Sequence, residues 1–204
     1  MHYASVDNIS KSFGIRSLFK NISFHVEEGA VIGDGTSVWH FSHVMPKAII
    51  GKNCIIGQNC FIDNNVKIGD GVKIQNNVSV YNGVELEDNV FIGPSVVFTN
   101  VNNPRSFIER KHEFKKTLIK KGCSVGANAT IICGITAGSF AMIGAGAVIT
   151  KNVSPYSMVL GSPAIFAGWI SESGYKLHFN DEGRAICEGD KLVYIIRNNV
   201  VSRL

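Results

Sequence analysis

A spacing of six residues runs through most of this sequence and constrains its fold more than any other feature. An apolar side chain recurs at every sixth position, breaks off once, and then resumes. In a chain that is 45% hydrophobic, chance produces such a series roughly once in two million trials. Neither an amphipathic helix nor an alternating strand has this period. The positions are Ile32, Val38, Val44, Ile50, Ile56, Ile62, Ile68, Ile74, Val80, Leu86, Ile92, Phe98, Ile119, Val125, Ile131, Ala137, Ile143 and Ile149.

The composition of each six-residue unit explains the spacing. Glycine often follows the apolar residue, and a small or β-branched residue stands four positions after it, as at Ala48, Cys54 and Val66. A short strand with an inward-pointing aliphatic side chain, followed by a corner that glycine or asparagine permits, accounts for both preferences. Three units close a triangular coil of about 18 residues, so Ile32 stacks on Ile50. The chain is therefore predicted to be all-β, a parallel β-helix of about six coils.

The repeats divide the chain into three predicted parts. Residues 1–29 keep the series poorly and are expected to cap the first coil, which otherwise exposes a sheet edge. Residues 30–165 form the β-helix. Within it, residues 99–118 leave the coil at a corner and project as a loop, the kind of segment that often has a function. Residues 166–204 form a small C-terminal tail.

The tail is predicted to contain both a helix and strands. Residues 164–173 are expected to form a short helix. Lys176–Phe179 and Arg184–Ile186 are interpreted as a hairpin, with Leu192–Ile196 as a third strand. Such a tail either caps the coil or adds to a subunit interface.

Cysteine usage and hydropathy indicate a reducing, aqueous setting. The five cysteines show no metal-ligand spacing, and three of them fall on inward positions, so buried free thiols and no metal are expected. No apolar run approaches the roughly 18 residues that span a bilayer. The first residues lack the layout of a secretory signal. We therefore expect a cytoplasmic protein without membrane insertion.

The predicted loop concentrates positive charge. The segment from Arg105 to Lys121 contains seven cationic residues and two glutamates. Its net charge of 7 − 2 = +5 exceeds the +4 of the whole chain. Clustered cations beside a groove attract and orient phosphorylated ligands. No basic helix or aromatic platform accompanies the cluster, so nucleic acid is not the expected partner.

Two further groups of residues are candidates for a binding site. Small residues in the late coils leave the backbone accessible to an extended ligand; they are Gly126, Ala127, Gly144, Ala145 and Gly146. The middle coils contain three pairs of polar residues. The two members of each pair are 18 residues apart and therefore stack on adjacent coils, although asparagine is also a common corner residue. These pairs are Gln58/Asn76, Asn59/Asn77 and Asn82/Asn100. His43, Asp63 and Tyr81 lie in the same part of the sequence.

Several motifs together resemble one enzyme family. They are Trp39-His-Phe-Ser-His-Val, Gln75-Asn-Asn-Val-Ser-Val-Tyr, Phe98-Thr-Asn-Val-Asn-Asn-Pro-Arg-Ser-Phe-Ile-Glu-Arg-Lys and Gly161-Ser-Pro-Ala. With the hexads, they resemble bacterial nucleotide-sugar N-acetyltransferases of the left-handed β-helix superfamily over about residues 30–170. The nearest resemblance is to enzymes that acetylate the 3-amino group of UDP-2-acetamido-3-amino-2,3-dideoxyglucuronate for surface polysaccharide (O-antigen) biosynthesis. Close relatives of these act on dTDP-3-amino-3,6-dideoxyhexoses.

The resemblance implies a homotrimer with active sites between subunits, acetyl-CoA as co-substrate, and a nucleotide-linked amino sugar as acceptor. The implied path of acetyl-CoA follows the small residues of the late coils and Lys151. The implied acceptor contacts are Gln58, Asn76, Asn77, Tyr81 and Arg105. Asn82 and Asn100 are expected to orient the reacting amine, with Asp63 or His43 as general base if one is needed. In similar enzymes an aspartate often follows the tyrosine, whereas Asn82 cannot accept a proton; His112 likewise replaces an acidic residue.

Three alternatives remain open on sequence grounds. A hydroxyl acceptor would make the protein a sugar O-acetyltransferase and would require a base, for which His43 is the candidate. A passive β-helix scaffold needs regular outward ladders of one residue type, which are absent here. A carbonic-anhydrase-like coil needs a histidine triad that His40, His43 and His112 do not supply convincingly. Nothing in the sequence distinguishes a UDP from a dTDP carrier.

Overall fold

The computed structural model describes residues 2–13 and 16–204, with side chains from Phe24 onward. The first strands are β1 His2–Phe13, β2 Arg16–Glu27, β3 Val31–Ile32, β4 Ser37–Val38, β5 His43–Val44, β6 Ile49–Ile50, β7 Ile55–Ile56, β8 Phe61–Ile62, β9 Lys67–Ile68, β10 Lys73–Ile74, β11 Ser79–Val80, β12 Val84–Leu86, β13 Phe91–Ile92 and β14 Val97–Phe98. A 3-10 turn at Lys111–Glu113 precedes the remaining strands. These are β15 Thr117–Ile119, β16 Ser124–Val125, β17 Thr130–Ile131, β18 Thr136–Ala137, β19 Met142–Ile143, β20 Val148–Ile149, β21 Ser157–Leu160, β22 Ile165–Ile170, β23 Lys176–Leu177, β24 Arg184–Ile186, β25 Val193–Arg197 and β26 Val200–Arg203.

The short strands stack in parallel into three sheets, which confirms the predicted β-helix. Sheet A has the order β1-β2-β5-β8-β11-β14-β17-β20, sheet B β18-β15-β12-β9-β6-β3, and sheet C β23-β22-β21-β19-β16-β13-β10-β7-β4. Each strand from β3 to β17 pairs with the third strand after it, 18 residues away as in Ile50↔Ile68, or 33 residues away where the loop intervenes, as in Val84↔Thr117. The six predicted coils correspond to the six strands of sheet B. Sheets A and C are longer because strands outside the hexads extend them.

The core follows the six-residue series. Of its eighteen positions, all those from Val44 onward are at most 3% exposed, and Ile32 and Val38 are partly buried against the same cluster. The small residues four positions later are buried as well, among them Ala48 and Cys54. Each inward side chain therefore packs on the equivalent ones one coil above and below, which is how a solenoid forms a continuous core.

Many of the asparagines lie at corners of the coil, where the backbone conformation favours them. At the third position after the apolar residue the backbone is left-handed, with φ between 54° and 63° at Asn53, Asn59, Asn65, Asn77 and Asn89. Asparagine tolerates this conformation better than other residues with a Cβ. Side-chain oxygens one coil away also accept corner N–H groups. Asp70 Oδ1, for example, is 2.7 Å from the backbone nitrogen of Lys52.

The projecting loop leaves the coil between sheets A and B. Its base is closed by a hydrogen bond from the backbone N–H of Lys115 to the carbonyl of Asn100, 3.0 Å long. Thr117, predicted to belong to the loop, already pairs with β12. The Cys133 thiol, one coil further on, donates to Asn102 Oδ1 at 3.0 Å. The loop is thus tied to the coil on both sides, while residues 102–109 are exposed.

At the N-terminal end, β1 and β2 form an antiparallel hairpin. The last residues of β2 pair in parallel with β5, through His25↔His43 and Val26↔Val44. The hairpin therefore continues sheet A beyond the first hexad. Of the segment 1–29 predicted as a cap, residues 1, 14 and 15 and the side chains before Phe24 lie outside the described part.

The predicted C-terminal helix is wrong. Residues 165–170 form strand β22, which pairs with β21 and with β23 in antiparallel fashion. The predicted hairpin is also wrong in its pairing, because β23 pairs with β22 while β24 pairs with β25, and β25 with β26. These last three strands form a separate sheet over a small core that includes Leu177, Cys187 and Tyr194. Residues 165–170 form a strand because they pair with an existing sheet edge, and this pairing outweighs their local propensity.

Candidate active site

All of the predicted site residues lie on the outer face of sheet A or at one of its two edges. Chain connections from sheet A to sheet B form the A–B corner, which contains residues 63–66, 81–83, 99–116, 132–135 and 150–152. Connections from sheet C to sheet A form the C–A corner, at residues 57–60, 75–78, 93–96, 126–129 and 144–147. Asp63, Tyr81, Asn82, Asn100, Lys151 and the loop with Arg105 are at the A–B corner. Gln58, Asn76, Asn77, Gly126, Ala127, Gly144, Ala145 and Gly146 are at the C–A corner, and His43 projects from the sheet.

Asn82 and Asn100 occupy equivalent positions of adjacent coils at the A–B corner. Both are partly exposed. Neither side-chain amide has a hydrogen-bond partner among the described residues, so both are available to a ligand. Asn82 also lines a cavity of about 220 Å³ together with Lys67 and Lys116. The lining also includes Glu85, so the Asn82 amide lies with two lysines and one carboxylate. The amide and the net positive charge suit an acceptor that has both hydroxyl and anionic groups.

Asp63 supports this corner through both carboxylate oxygens. Its Oδ1 accepts the backbone N–H of Asn64 at 2.8 Å, and its Oδ2 accepts the backbone N–H of Asn82 at 3.1 Å. The carboxylate therefore fixes the backbone that holds Asn82. This geometry favours a positioning role for Asp63 over the predicted fallback role as general base.

His43 forms a carboxylate–imidazole pair. Its Nε2 is 2.9 Å from Glu27 Oε1, and its side chain is 37% exposed, so the ring remains accessible from the outer face of sheet A. Phe61, the next residue along the outer row, meets the ring edge to face at a centroid distance of 6.0 Å. A carboxylate partner fixes the orientation of an imidazole and its tautomer. His43 is thus the one predicted base whose geometry resembles that of a general base.

The polar pairs of the C–A corner are largely part of the fold. Asn76 Oδ1 accepts the backbone N–H of Gln58 at 3.0 Å, and Asn59 Nδ2 donates to Asn77 Oδ1 at 3.0 Å. Asn77 has a φ of 63°. Corner geometry alone therefore accounts for Asn77. The oxygen of Asn76 is also engaged, which leaves its NH2 group to face outward.

The late coils present unpaired backbone donors at the same corner. The N–H groups of Ala127 and Ala145 have no acceptor in the described part of the chain, whereas the equivalent N–H of Gln58 is bonded to Asn76. One coil separates the two alanines, about 4.8 Å. A Cβ added to Gly146 would meet no atom within 4 Å, so this edge is open. These features fit the carbonyl oxygens of an acetylated pantetheine arm, its thioester carbonyl included.

Gly126 has a different explanation. A Cβ at this position would collide with the backbone nitrogen of Ala145, so stacking of the coils requires glycine. Lys151 lies at the other corner, where it lines a cavity of about 190 Å³ with Ser154 and Phe166. The predicted path for acetyl-CoA therefore involves both corners.

Part of the loop charge is neutralised within the loop. Arg110 contacts Glu113 at 2.7 Å, and Lys111 is 3.8 Å from Glu109. Arg105 donates only to the neighbouring carbonyl of Pro104. In the described residues Lys115, Lys116, Lys120 and Lys121 form no ion pair. Of these, Lys116 is the cation closest to the Asn82 cavity.

Sequence reasoning missed several residues of this surface. Glu27 precedes the hexads, and only the pairing of β2 with β5 brings it to His43. Lys67 and Lys116 are 49 residues apart (116 − 67 = 49) and meet because the loop returns to the coil next to them. Trp39 lines a cavity with Gln58 and Gln75 at the C–A corner. In the sequence it is notable only as the first residue of a motif that resembles the N-acetyltransferase family.

The described residues contain no group of three or more histidine, cysteine or acidic side chains that could hold a metal ion. None of the helical segments in that part of the chain has the length and hydropathy needed to cross a bilayer. All five cysteines are buried free thiols, as expected. Burial raises the pKa of the Cys123 thiol to about 12.

Comparison with known proteins agrees with this geometry. The model of bacterial transferase hexapeptide repeats (six repeats) matches residues 29–64 and 65–100, and that of the hexapeptide repeat of succinyl-transferase matches residues 47–82 and 117–151. The dTDP-3-amino-3,6-dideoxy-alpha-D-galactopyranose 3-N-acetyltransferase of Aneurinibacillus thermoaerophilus is 42% identical over 179 residues, 88% of this chain and 92% of that protein. The chain belongs to the hexapeptide-repeat acyltransferases.

More distant similarities are consistent with membership in this family. The bifunctional protein GlmU of Thermotoga petrophila is 36% identical over 85 residues, 39% of this acyltransferase and 19% of that protein. A hexapeptide transferase family protein from Anaplasma phagocytophilum has the same fold, with a TM-score of 0.53, 21% identity, and coverage of 74% of this chain and 82% of that chain. The left-handed β-helix superfamily and the acyltransferase class expected from the sequence are thereby confirmed.

Proposed function

We propose that this acyltransferase moves the acetyl group of acetyl-CoA to the 3-amino group of a nucleotide-linked amino sugar. The observation that supports it most is the 42% identity, over nearly the whole chain, to an enzyme named for 3-N-acetylation of such a sugar. The unengaged amides of Asn82 and Asn100, of which Asn82 shares a cavity with Lys67 and Lys116, suit an acceptor with hydroxyl groups and a diphosphate.

The same relative favours a dTDP-linked 3-amino-3,6-dideoxyhexose as the acceptor. UDP-2-acetamido-3-amino-2,3-dideoxyglucuronate, to which the sequence motifs pointed, is the second candidate. The two acceptors differ at the pyrimidine methyl group, the ribose 2′-hydroxyl, the 2-acetamido group of the sugar and a sugar carboxylate. A carboxylate requires a cation, and Lys67 and Lys116 are placed to supply one.

We further propose that each active site forms between two subunits of a homotrimer. Supporting this, the unpaired N–H groups of Ala127 and Ala145 and the amides of Asn82 and Asn100 lie at different corners of one chain. Gln58 and Asp63 are five residues apart, up to about 17 Å along an extended chain. Contact between the C–A corner of one subunit and the A–B corner of the next brings donor and acceptor contacts together.

The chemistry requires little from side chains. The neutral sugar amine attacks the thioester carbonyl, and the N–H of Ala127 donates to the oxygen that becomes negative. The C–S bond then breaks, an amide remains, and the departing thiolate takes the proton lost by the amine. Asn82 and Asn100 hold the amine in line, so that positioning supplies most of the rate enhancement. An O-acetyltransferase would instead depend on His43 as general base.

Thiol release from acetyl-CoA tests the proposal. The purified protein is mixed with acetyl-CoA, a thiol reagent and each member of a panel of dTDP- and UDP-linked 3-amino sugars and their 3-hydroxy analogues. Because the protein's own cysteines are buried, they contribute little background. We expect release with a 3-amino sugar and none with the hydroxy analogue. Release only with hydroxy sugars, or with none of the panel, refutes N-acetylation.

A separate experiment tests the location of the site. The trimer should have a mass of about 66 kDa, three times the chain mass of 22.1 kDa. Asn82→Ala and Ala145→Trp each disable one corner, the second because Ala145 is exposed at the open edge and a larger side chain there occupies the space of the donor. Co-expression of the two variants should restore part of the activity, since a mixed trimer contains an intact pair of corners. No restoration in mixed trimers argues against a site between subunits.

A further inference from the structure

A second cavity lies at the C–A corner toward the N-terminal coils, away from Asn82 and the loop. Its volume is about 280 Å³, and its lining includes Trp39, Gln58, Gln75 and Asn76. The indole of Trp39 is unusually open, since 54% of the residue is exposed. Large aromatic surfaces of this kind commonly mark ligand or partner contacts.

The polar wall of this cavity is free to bind a ligand. In the described chain the side-chain amides of Gln58 and Gln75 have no hydrogen-bond partner. Asn76 is oriented by the backbone, because its Oδ1 accepts the N–H of Gln58 at 3.0 Å. Its NH2 group therefore points away from the coil, and its own backbone N–H has no acceptor in the described structure. The wall thus offers several donors and two adaptable amides beside one aromatic face.

This combination matches the chemistry of a pyrimidine base. Uracil and thymine have two carbonyl acceptors flanking one N–H donor, an edge that primary amides can pair with in a bidentate manner, and a flat face that stacks on an indole. A pyranose ring also stacks on tryptophan, but it presents hydroxyl groups around its whole rim. The concentration of donors on a single wall favours the base.

The position of the cavity is consistent with this assignment. Along the C–A corner the open donors of Ala127 and Ala145 lie on late coils, and the Trp39 cavity lies on early ones. A donor substrate bound to the late coils leaves the early coils to the acceptor. A diphosphate separates base from sugar, so the base and the reacting amine can contact different elements.

We propose that the cavity lined by Trp39, Gln58 and Gln75 binds the pyrimidine base of the acceptor, with Trp39 as the stacking platform. This inference rests on the proposed function, because it assigns the base of the same nucleotide-linked acceptor. Trp39 is then a residue that determines binding of the nucleotide and takes no part in the chemical step.

The test measures binding of UMP and dTMP by calorimetry, without acetyl-CoA or amino sugar. Trp39→Ala should weaken binding at least tenfold, equivalent to about 1.4 kcal/mol, whereas Trp39→Phe should retain most of it. Phe41→Ala is the matched control, since Phe41 is 55% exposed on the same turn but does not line the cavity. Glucose 1-phosphate, which lacks a base, should bind wild type and Trp39→Ala alike.

Several results would overturn the assignment. They are equal nucleotide affinity in wild type and Trp39→Ala, absence of nucleotide binding to wild type, and an equal loss of glucose 1-phosphate binding, which would put the sugar ring on the indole. A change of oligomeric mass in Trp39→Ala would assign the indole to a subunit contact. The binding assay is independent of acetyl transfer, so a failure of the proposed function leaves this result interpretable, and the reverse also holds.

Discussion

Replacing Asp63 by asparagine separates a positioning role from a catalytic one. The carboxylate accepts two backbone N–H groups, those of Asn64 at 2.8 Å and Asn82 at 3.1 Å. Asparagine retains one acceptor oxygen and turns an NH2 group toward the other N–H. Asp63 is only partly buried, so water reaches the N–H that loses its partner. The expected cost is about 1–2 kcal/mol, or a fall in Tm of roughly 2–8 °C in a chain of this size.

The effect on activity should be small by comparison. If Asp63 only fixes the backbone of Asn82, then Asp63→Asn displaces Asn82 slightly and lowers kcat less than about tenfold. Removal of a general base lowers the rate by about 10² to 10⁴. Measuring kcat by thiol release from about pH 6 to about pH 9 also shows whether the basic form of a protein group is needed.

Asp70→Asn is the matched control for this experiment. Asp70 Oδ1 accepts the backbone N–H of Lys52 at 2.7 Å, but this contact lies between sheets B and C, away from every predicted site residue. It should lower Tm by a similar amount without changing kcat. A loss of kcat beyond about 100-fold in Asp63→Asn, with a changed pH profile and little change in Tm, would refute the positioning role.

Three other outcomes are expected. Asn82→Ala should lower kcat/KM at least about tenfold with little effect on Tm, because its amide has no protein partner, whereas Asn77→Ala should lower Tm and leave kcat/KM unchanged. Ile50→Ala should cost about 2–5 kcal/mol in a urea titration, because Ile50 is 1% exposed, and Ile49→Ala under 1 kcal/mol, because Ile49 is 49% exposed. Burial raises the Cys123 pKa from 9.0 to about 12, so the unfolded chain loses this proton first and its contribution to stability falls as pH rises from 9 to 12. In this range the free energy of unfolding should fall by about 1.4 kcal/mol per pH unit because of this thiol, and Cys123→Ala should remove that part of the fall. An identical pH dependence in both proteins would contradict the raised pKa of Cys123.

The sequence predicts the coil well because the signal repeats. Each apolar position of the hexad contributes independently, so local exceptions such as Ala137 do not obscure the series. The C-terminal tail has no repeat, and there Ile165–Ile170 takes its conformation from the edge of sheet C. A single tertiary pairing of this kind leaves no periodic trace in the sequence.

The candidate site is only partly predictable for a related reason. The 18-residue spacing shows that Asn77 stacks on Asn59 and Asn100 on Asn82, but it does not show which amides are used by the fold. The structure distinguishes them: Asn77 has a left-handed backbone and an engaged oxygen, and Asn82 has neither. Contacts to segments outside the series, such as Glu27 with His43, require the three-dimensional fold.

The regular rise of the coils relates the position of the loop to the proposed positions of the two substrates. Successive coils place equivalent residues about 4.8 Å apart along each edge, so a ligand along the C–A corner from Gly144 to Trp39 crosses five coil spacings, about 24 Å. In the proposed arrangement acetyl-CoA uses the late coils and the acceptor the early ones, so they meet near the coil that contains Pro94 and Asn100. Pro94 has no N–H, which leaves Ala127 as the next donor for an oxyanion. The loop leaves the β-helix in this same coil, directly after Phe98. Across the proposed subunit contact, the loop at the A–B corner of one chain lies beside this part of the C–A corner of the next. In that arrangement an insertion one or two coils away would cover only the donor or only the acceptor, whereas this one covers the place where the two reacting groups meet.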